Sequence, residues 1–258
     1  MKTDTRCMDG KNLYYFVSDV HLGLDYLDPV ARERRFADFL LQLPAQTRKL
    51  FLLGDIFDFW YEYKSVIPRG FTRTLGAFAQ LADRGVEIHF FNGNHDIWTY
   101  DYFQNELGFI MERQPALIEL EGKRFCLGHG DGLMPGDRWY KLMKWGFNNR
   151  FLQWLFSAIH PRWAFALGHS WSRHNRLTKG EDFKFRGETE PLVKFANAFQ
   201  ESRGAEERVD FFIFGHYHYK VQHQLKQGGT LAILGEWINH CDYLVFDGEK
   251  LESRIFKG

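Results

Sequence analysis

The amino-acid sequence predicts an α/β protein built on a largely parallel sheet, and three observations carry that expectation. The first is the order strand, helix, strand across residues 13–17, 29–43 and 50–53, the βαβ signature. The second is the stretch 50–58, Leu-Phe-Leu-Leu-Gly-Asp-Ile-Phe-Asp. Four apolar residues closed by Gly54 look like a strand buried on both faces, and such a strand delivers Asp55 at its carboxyl end. Open α/β sheets place their chemistry at that end. The third is recurrence: four further polar clusters follow apolar strands in the same way.

The elements follow in order. Residues 13–17 form a short apolar strand ending in Ser18-Asp19-Val20-His21. Val30, Phe36, Phe39, Leu40 and Leu43 fall at helical spacing, with Asp28 as cap and Pro29 just inside. A second helix over 71–84 is stopped by Gly85, and the strand 86–91 runs into Asn92-Gly93-Asn94-His95-Asp96. Residues 117–120 and 124–127 make a hairpin through Glu121-Gly122, whose second strand ends in Gly128-His129-Gly130-Asp131. A helix over 191–200 returns the chain to a strand at 210–214, followed by Gly215-His216-Tyr217-His218. Strands near 219–225, 230–234, 242–246 and 251–256 complete the tail, separated by turns such as Gly228-Gly229 and Asp247-Gly248.

Composition bounds the function. At 258 residues, 45% hydrophobic and 26% charged, the chain has the make-up of a soluble globular protein with a substantial core. Its net charge of zero supplies no global field for nucleic acid. Cys7, Cys126 and Cys241 are odd in number and lack metal-type spacing, which argues against disulfides and thiolate zinc and for a reducing cytoplasm. The N-terminal residues lack the apolar core of a signal peptide, and no run of about 18 apolar residues suits a spanning helix. The neutral total conceals a basic insert over about 134–185. Between Arg138 and Gly180 there are eight Lys or Arg and no Asp or Glu, so the rest of the chain carries −8. Its apolar residues, including Phe151, Leu152, Leu155, Phe156 and Ile159, fall at helical intervals until Pro161. Trp145 and Trp154 fall off those stripes and are expected to be exposed.

Taken singly, each polar cluster has an ordinary explanation. An Asp-x-His pair is usually a capped turn, and Asn94-His95-Asp96 alone suits an Asx-turn opening a helix. Gly215-His216-Tyr217-His218 says more, because alternate side chains of an extended segment project to one side and converge. Five recurrences at one structural place are not expected of independent core histidines. His89, in mid-strand, is expected to be a packed or hydrogen-bonded core residue.

As an ordered set, Asp19-x-His21, Gly54-Asp55-x-x-Asp58, Gly93-Asn94-His95-Asp96, Gly128-His129 and Gly215-His216-x-His218 resemble the five blocks of the calcineurin-like metallophosphoesterases, over about residues 14–220. The resemblance implies a single domain: a sandwich of two mixed β-sheets flanked by helices, with two metal ions at the strand ends. Carried over position by position, Asp19, His21, Asp55 and His218 hold one ion, and Asp55, Asn94, His129 and His216 the other. Oxygen and imidazole donors without thiolate suit Mn first, with Fe, Zn and Co as alternatives. Asn94 and His95 would neutralise charge on the phosphoryl oxygens, with His95 oriented by Asp58.

Within that superfamily the chain is most similar to the UDP-2,3-diacylglucosamine pyrophosphatases of lipid A synthesis. The likeness includes Phe57-x-x-Trp60, the aromatic and basic insert after His129-Gly130-Asp131, and Leu234-Gly235-Glu236-Trp237. It implies an acylated sugar-nucleotide substrate and work at the cytoplasmic face of the inner membrane. Ser172, Arg173, Asn175, Arg176 and Lys179 are the candidates for phosphate and sugar contacts. The better-known branch of those enzymes has an arginine in place of His95 and a glutamate in place of Asp58. The His-Asp pair of general phosphoesterases therefore keeps another phosphodiester or phosphomonoester open as a substrate. A metal-free scaffold is the alternative from outside enzymes.

Overall fold

Alternate residues of the first strand, β1 (Leu13–Val17), face different layers, and this fixes the architecture. Leu13, Tyr15 and Val17 join a core with Phe36, Phe39 and Leu40 of helix α1 (Pro29–Leu41). Tyr14 and Phe16 point the other way, into a core shared with a second sheet. The structure is a computed structural model that describes residues 10–133, 145–147, 149–178 and 185–258.

In the first sheet, β1, β2 (Thr47–Leu53), β3 (Glu87–Phe91) and β4 (Ile110–Glu112) run parallel. Strands β10 (Asp242–Phe246) and β11 (Leu251–Ile255) extend it antiparallel beyond β1, giving the order β11-β10-β1-β2-β3-β4. Helices α1, α2 (Thr72–Asp83) and α3 (Tyr102–Leu107) cover its outer face through Phe36, Phe78, Leu81 and Phe103.

The second sheet has the order β5-β6-β7-β9-β8, from β5 (Ala116–Leu120), β6 (Lys123–Gly128), β7 (Phe211–Phe214), β8 (Val221–Gln224) and β9 (Thr230–Ile233). Its central strands β6, β7 and β9 are parallel and its edge strands antiparallel. Phe125, Leu127, Ile213 and Ala232 pack on Phe16, Phe51, Leu53 and Phe91 between the sheets. Helix α6 (Pro191–Glu201) covers the outer face through Leu192, Val193 and Ala196. The expected sandwich of two mixed sheets flanked by helices is what the chain forms.

Helix α4 (Arg150–Ser157) and the 18-residue helix α5 (Pro161–Thr178) lie between β6 and α6 in the chain. The expectation that the helical pattern ends at Pro161 holds for α4. Pro161 also starts a helix, because proline fits the first turn, where its missing N–H is not needed. Helix α3 and strand β4 went unanticipated: six and three residues carry too little periodicity to be seen. Residues 139–144 of the insert lie outside the described residues.

Candidate metal centre

Strands β1, β2, β3, β6 and β7 all deliver their carboxyl ends to one edge of the sandwich, and the loops that follow carry the five clusters. The backbone there is unusual. Among the described residues nine non-glycine residues have positive φ, and five of them are Asp19 (54°), His21 (49°), Asp55 (53°), His216 (72°) and His218 (58°). A left-handed conformation costs a β-carbon residue about 1 kcal/mol or more, so it persists only where the surroundings impose it.

The surroundings are a lattice of hydrogen bonds between loops. The buried Asp96 carboxylate accepts from Gly93 N (2.7 Å), Ile56 N (2.8 Å), Asp55 N (3.2 Å) and Phe57 N (3.2 Å). It thereby ties the loop after β3 to the loop after β2. Gly93 is required by that approach: a β-carbon there would overlap the Asp55 carboxylate and backbone. The tail joins in, with Trp237 N donating to Asp19 O (3.1 Å).

Asp19 and Asp55 each commit one oxygen to this scaffold and turn the other inward. Asp19 Oδ2 accepts from Ser18 Oγ (2.6 Å) and His216 N (3.0 Å), while its Oδ1 faces His218 Nε2 at 3.2 Å and His21 Nε2 at 3.9 Å. Asp55 Oδ1 accepts from His95 N (2.8 Å), while Oδ2 lies 3.3 Å from His129 Nε2 and 3.8 Å from His21 Nε2. His129 Nε2 is also 3.3 Å from Asn94 Oδ1 and 3.3 Å from His216 Nδ1. His21 Nε2 and His218 Nε2 stand 3.2 Å apart.

Three groups result that could hold a metal ion: Asp19/His21/Asp55/His218, Asp55/His129/His216 and His21/Asp58/His95. Asp55 belongs to the first two, which contain the expected ligands, and Asn94 adjoins the second. All seven expected ligands are therefore brought together. Bonds of about 2.1 Å at coordination angles near 90–110° put neighbouring donor atoms about 3.0–3.4 Å apart, the spacing of the closest pairs here. His129 supplies a further test. Its Nδ1 is 2.9 Å from the Leu53 carbonyl, which can only accept, so in the neutral ring Nε2 carries the lone pair. That lone pair faces an aspartate oxygen, an amide oxygen and another imidazole nitrogen. A cation satisfies such a set. Buried Asp19 Oδ1, which accepts no well-aligned hydrogen bond from the protein, fits the same reading.

Charges follow the geometry. Burial works against ionising Asp55, yet the His129, His95 and His21 imidazoles hold it well below the usual carboxylate range. Asp19 is likewise held at about 2 by His218 and His129, against the effect of burial. Burial works to lower His129, but Asp55, Asp19 and Asp131 raise it to about 10. Burial and the neighbouring His129 lower His216 to about 4, leaving it neutral.

His95 adjoins the first group, its ring edge-on to His21 at a centroid distance of 4.9 Å. Asp58 meets its ring chiefly through the backbone. Nδ1 lies 2.9 Å from the backbone carbonyl of Asp58 and 3.8 Å from the Asp58 carboxylate. That carboxylate stands 3.3 Å from His21 Nδ1 and accepts from Ser172 Oγ at 2.8 Å. Ser172, expected to touch phosphate or sugar, is 1% exposed and spends its hydroxyl on Asp58. The reason is its place on the face of α5 turned to the body. The side chains of Arg173, Asn175 and Arg176, and Lys179 altogether, lie outside the described residues. His89 is buried as expected, 2.8 Å from Glu112.

Sequence reasoning missed Gln114 and Asp131. Gln114 Oε1 accepts from His129 N (2.6 Å), and its Nε2 donates to Asp131 Oδ1 (2.6 Å) and Asn92 O (3.3 Å). It pins the His129 loop from across the sheet edge. Asp131 follows His129 in its cluster with nothing local to mark a role, and a lone Gln before Pro115 carries no signal.

A sandwich of this order, with clusters at its strand ends able to hold divalent metals, is that of a metal-dependent hydrolase. The chain belongs to the calcineurin-like phosphoesterase family, whose sequence profile matches residues 14–220. It is 41% identical over 252 residues to the UDP-2,3-diacylglucosamine hydrolase of Porphyromonas gingivalis, covering 92% of this chain and 95% of that one. It is 30% identical to the enzyme of the same name from Photobacterium profundum, covering 93% and 96%.

Proposed function

We propose that the chain hydrolyses the pyrophosphate of UDP-2,3-diacylglucosamine to UMP and 2,3-diacylglucosamine 1-phosphate, using two divalent metal ions. One observation carries the reading. A cage sharing the single carboxylate Asp55 stands beneath an insert with exposed aromatic residues, in a chain 41% identical over nearly its whole length to a relative of that name. Asp19, His21, Asp55 and His218 would hold one ion, and Asp55, Asn94, His129 and His216 the other, with Mn first and Fe, Zn or Co as substitutes. Such ions, when bound there, would supply positive charge for the phosphoryl oxygens and a nucleophilic water near neutral pH.

The protein's own groups do the rest. Asp55 directs Oδ2 between the two imidazoles because Oδ1 is fixed by His95 N. Asn94 borders the phosphoryl position beside His129. His95 donates Nδ1–H to the Asp58 carbonyl, so proton exchange with the leaving oxygen falls to Nε2.

The segment from about 134 to 185 serves as a lid within the single domain. Trp145, Phe151, Trp154, Leu155, Trp163 and Leu167 are 54–66% exposed, with Arg150 and Arg162 beside them. Such a face suits two acyl chains and an anionic bilayer surface. Arg173, Asn175, Arg176 and Lys179 are proposed to meet the sugar and phosphates. Among the described residues no helix is long and apolar enough to cross a membrane. The exposed aromatic and basic face is the ground on which we place the protein peripherally on the cytoplasmic face of the inner membrane. Sedimentation with phosphatidylglycerol vesicles should carry the protein down, and Trp154→Ser should reduce the bound fraction. Recovery of both proteins in the supernatant removes the membrane assignment.

The deciding assay offers purified protein with Mn both the acylated sugar nucleotide and bis(p-nitrophenyl) phosphate. UMP release from the first is expected. Turnover of the generic diester alone sinks the substrate assignment and leaves the phosphoesterase.

A further inference from the structure

Helix α5 presents Ala164, Gly168 and Ser172 four residues apart, hence on one face, and Ala164 and Ser172 are 0% and 1% exposed. That face lies against two consecutive residues of the loop after β2. A β-carbon on Gly168 would fall 2.5 Å from the Phe59 ring, and Ser172 Oγ donates to Asp58 Oδ2 at 2.8 Å. Asp58 is 2% exposed, and its other oxygen stands 3.3 Å from His21 Nδ1. His21 turns its remaining nitrogen, Nε2, to Asp19, Asp55 and His218.

The second nitrogen of a metal-binding imidazole sets the ring's tautomer and orientation through whatever it meets. Here it stands 3.3 Å from a buried carboxylate whose other oxygen accepts from a hydroxyl of the lid. We propose that Ser172 is a positioning residue that couples the seating of α5 to the Asp19/His21/Asp55/His218 metal site. The idea rests on the two-ion reading above and adds to it a link between the lid and one particular ion.

The link runs both ways. If a seated α5 strengthens that ion's binding, the ion strengthens the seating of α5 by the same factor. The substrate-holding element and the metal then assemble together. The insert is held ahead of α5 by other contacts too: Tyr61 Oη donates to Gln153 O (3.1 Å), Tyr63 Oη to Ile159 O (3.0 Å) and Trp98 Nε1 to Phe147 O (3.0 Å). Losing one hydroxyl should therefore leave the insert folded.

The test is equilibrium dialysis of the chelator-stripped full chain against Mn2+, followed by metal analysis. The wild type should bind two ions per chain; fewer than one would defeat the two-ion reading itself. Ser172→Ala should weaken one of the two equivalents about tenfold, the lower end of what outer partners of ligands contribute. Ser172→Thr, which keeps the hydroxyl, should stay within about twofold of wild type on the same scale. Should alanine fail to fold, Ser172→Val against Ser172→Thr makes the same comparison at constant shape.

Hydrogen exchange of the 161–172 amides supplies a second readout. Mn2+ should slow it in the wild type and have little effect in the alanine variant. A hydroxyl that merely packs would lower the melting temperature and leave both equivalents unchanged. That result, or equal weakening of both, overturns the proposal.

Discussion

Asp55 carries more of the site than any other residue, because its Oδ2 faces His129 and His21 while its Oδ1 secures the His95 loop. Asp55→Ala should abolish turnover together with both metal ions, since it removes the donor that the Asp19/His21/Asp55/His218 and Asp55/His129/His216 groups share. His95 donates its backbone N–H to Asp55 Oδ1 and sets its ring edge-on to His21. His95→Ala should lower turnover by about 10²–10⁴, the usual contribution of a general acid, with metal content near two per chain. Parallel metal and activity assays decide, and equal metal loss in both variants would make His95 a ligand. These residues were legible in the sequence because each sits within four positions of a strand end, where local pattern places it. The bonds of Gln114 to His129 and of Ser172 to Asp58 were not, because they join residues 15 and 114 positions apart. No periodicity records such a pairing.

Helix α5 shows how one element constrains the site. Its small face lets Phe59 sit against Gly168, and Phe59 follows Asp58 directly in the chain. Alanine in a helix is favoured over glycine by about 1 kcal/mol in isolation. At 168, though, the added carbon would lie 2.5 Å from the Phe59 ring, inside any stable contact. Gly168→Ala should thus tilt α5 from its seat. At saturating Mn we expect at least about a tenfold fall in activity on the acylated substrate. Hydrolysis of bis(p-nitrophenyl) phosphate should stay within about twofold, because every expected metal ligand lies outside the insert and saturating Mn offsets a weakened ion site. A parallel fall in both would mean that the insert shapes the cage even when both ions are bound. The charge run of the insert pointed to this element from sequence, yet its seated face escaped notice: Ala, Gly and Ser have no hydrophobic signal at any period.

For the whole molecule, gathering two buried aspartates with the imidazoles of His21, His129, His216 and His218 makes stability depend on pH and metal in opposed directions. In the metal-stripped protein His129 is raised from 6.5 to about 10 by Asp55 and Asp19, against its burial. Its charge contact is therefore fully present below pH 6.5 and is lost as pH rises through about 10. Asp19, lowered from 3.8 to about 2, contributes above 3.8 and loses that contribution only as pH falls through about 2. The stripped protein should then melt highest between these ranges and lower steadily towards pH 9. Bound metal needs the imidazoles deprotonated, so rising pH strengthens it over the same interval. The difference in melting temperature between Mn-loaded and stripped protein should accordingly widen from about pH 6.5 to about pH 9, with protons released on binding. Calorimetric titration in buffers of different ionisation enthalpy measures that release directly. A melting difference that stays flat or narrows would mean that His129 does not exchange its proton for a metal ion, and the shared-carboxylate cage would need another occupant.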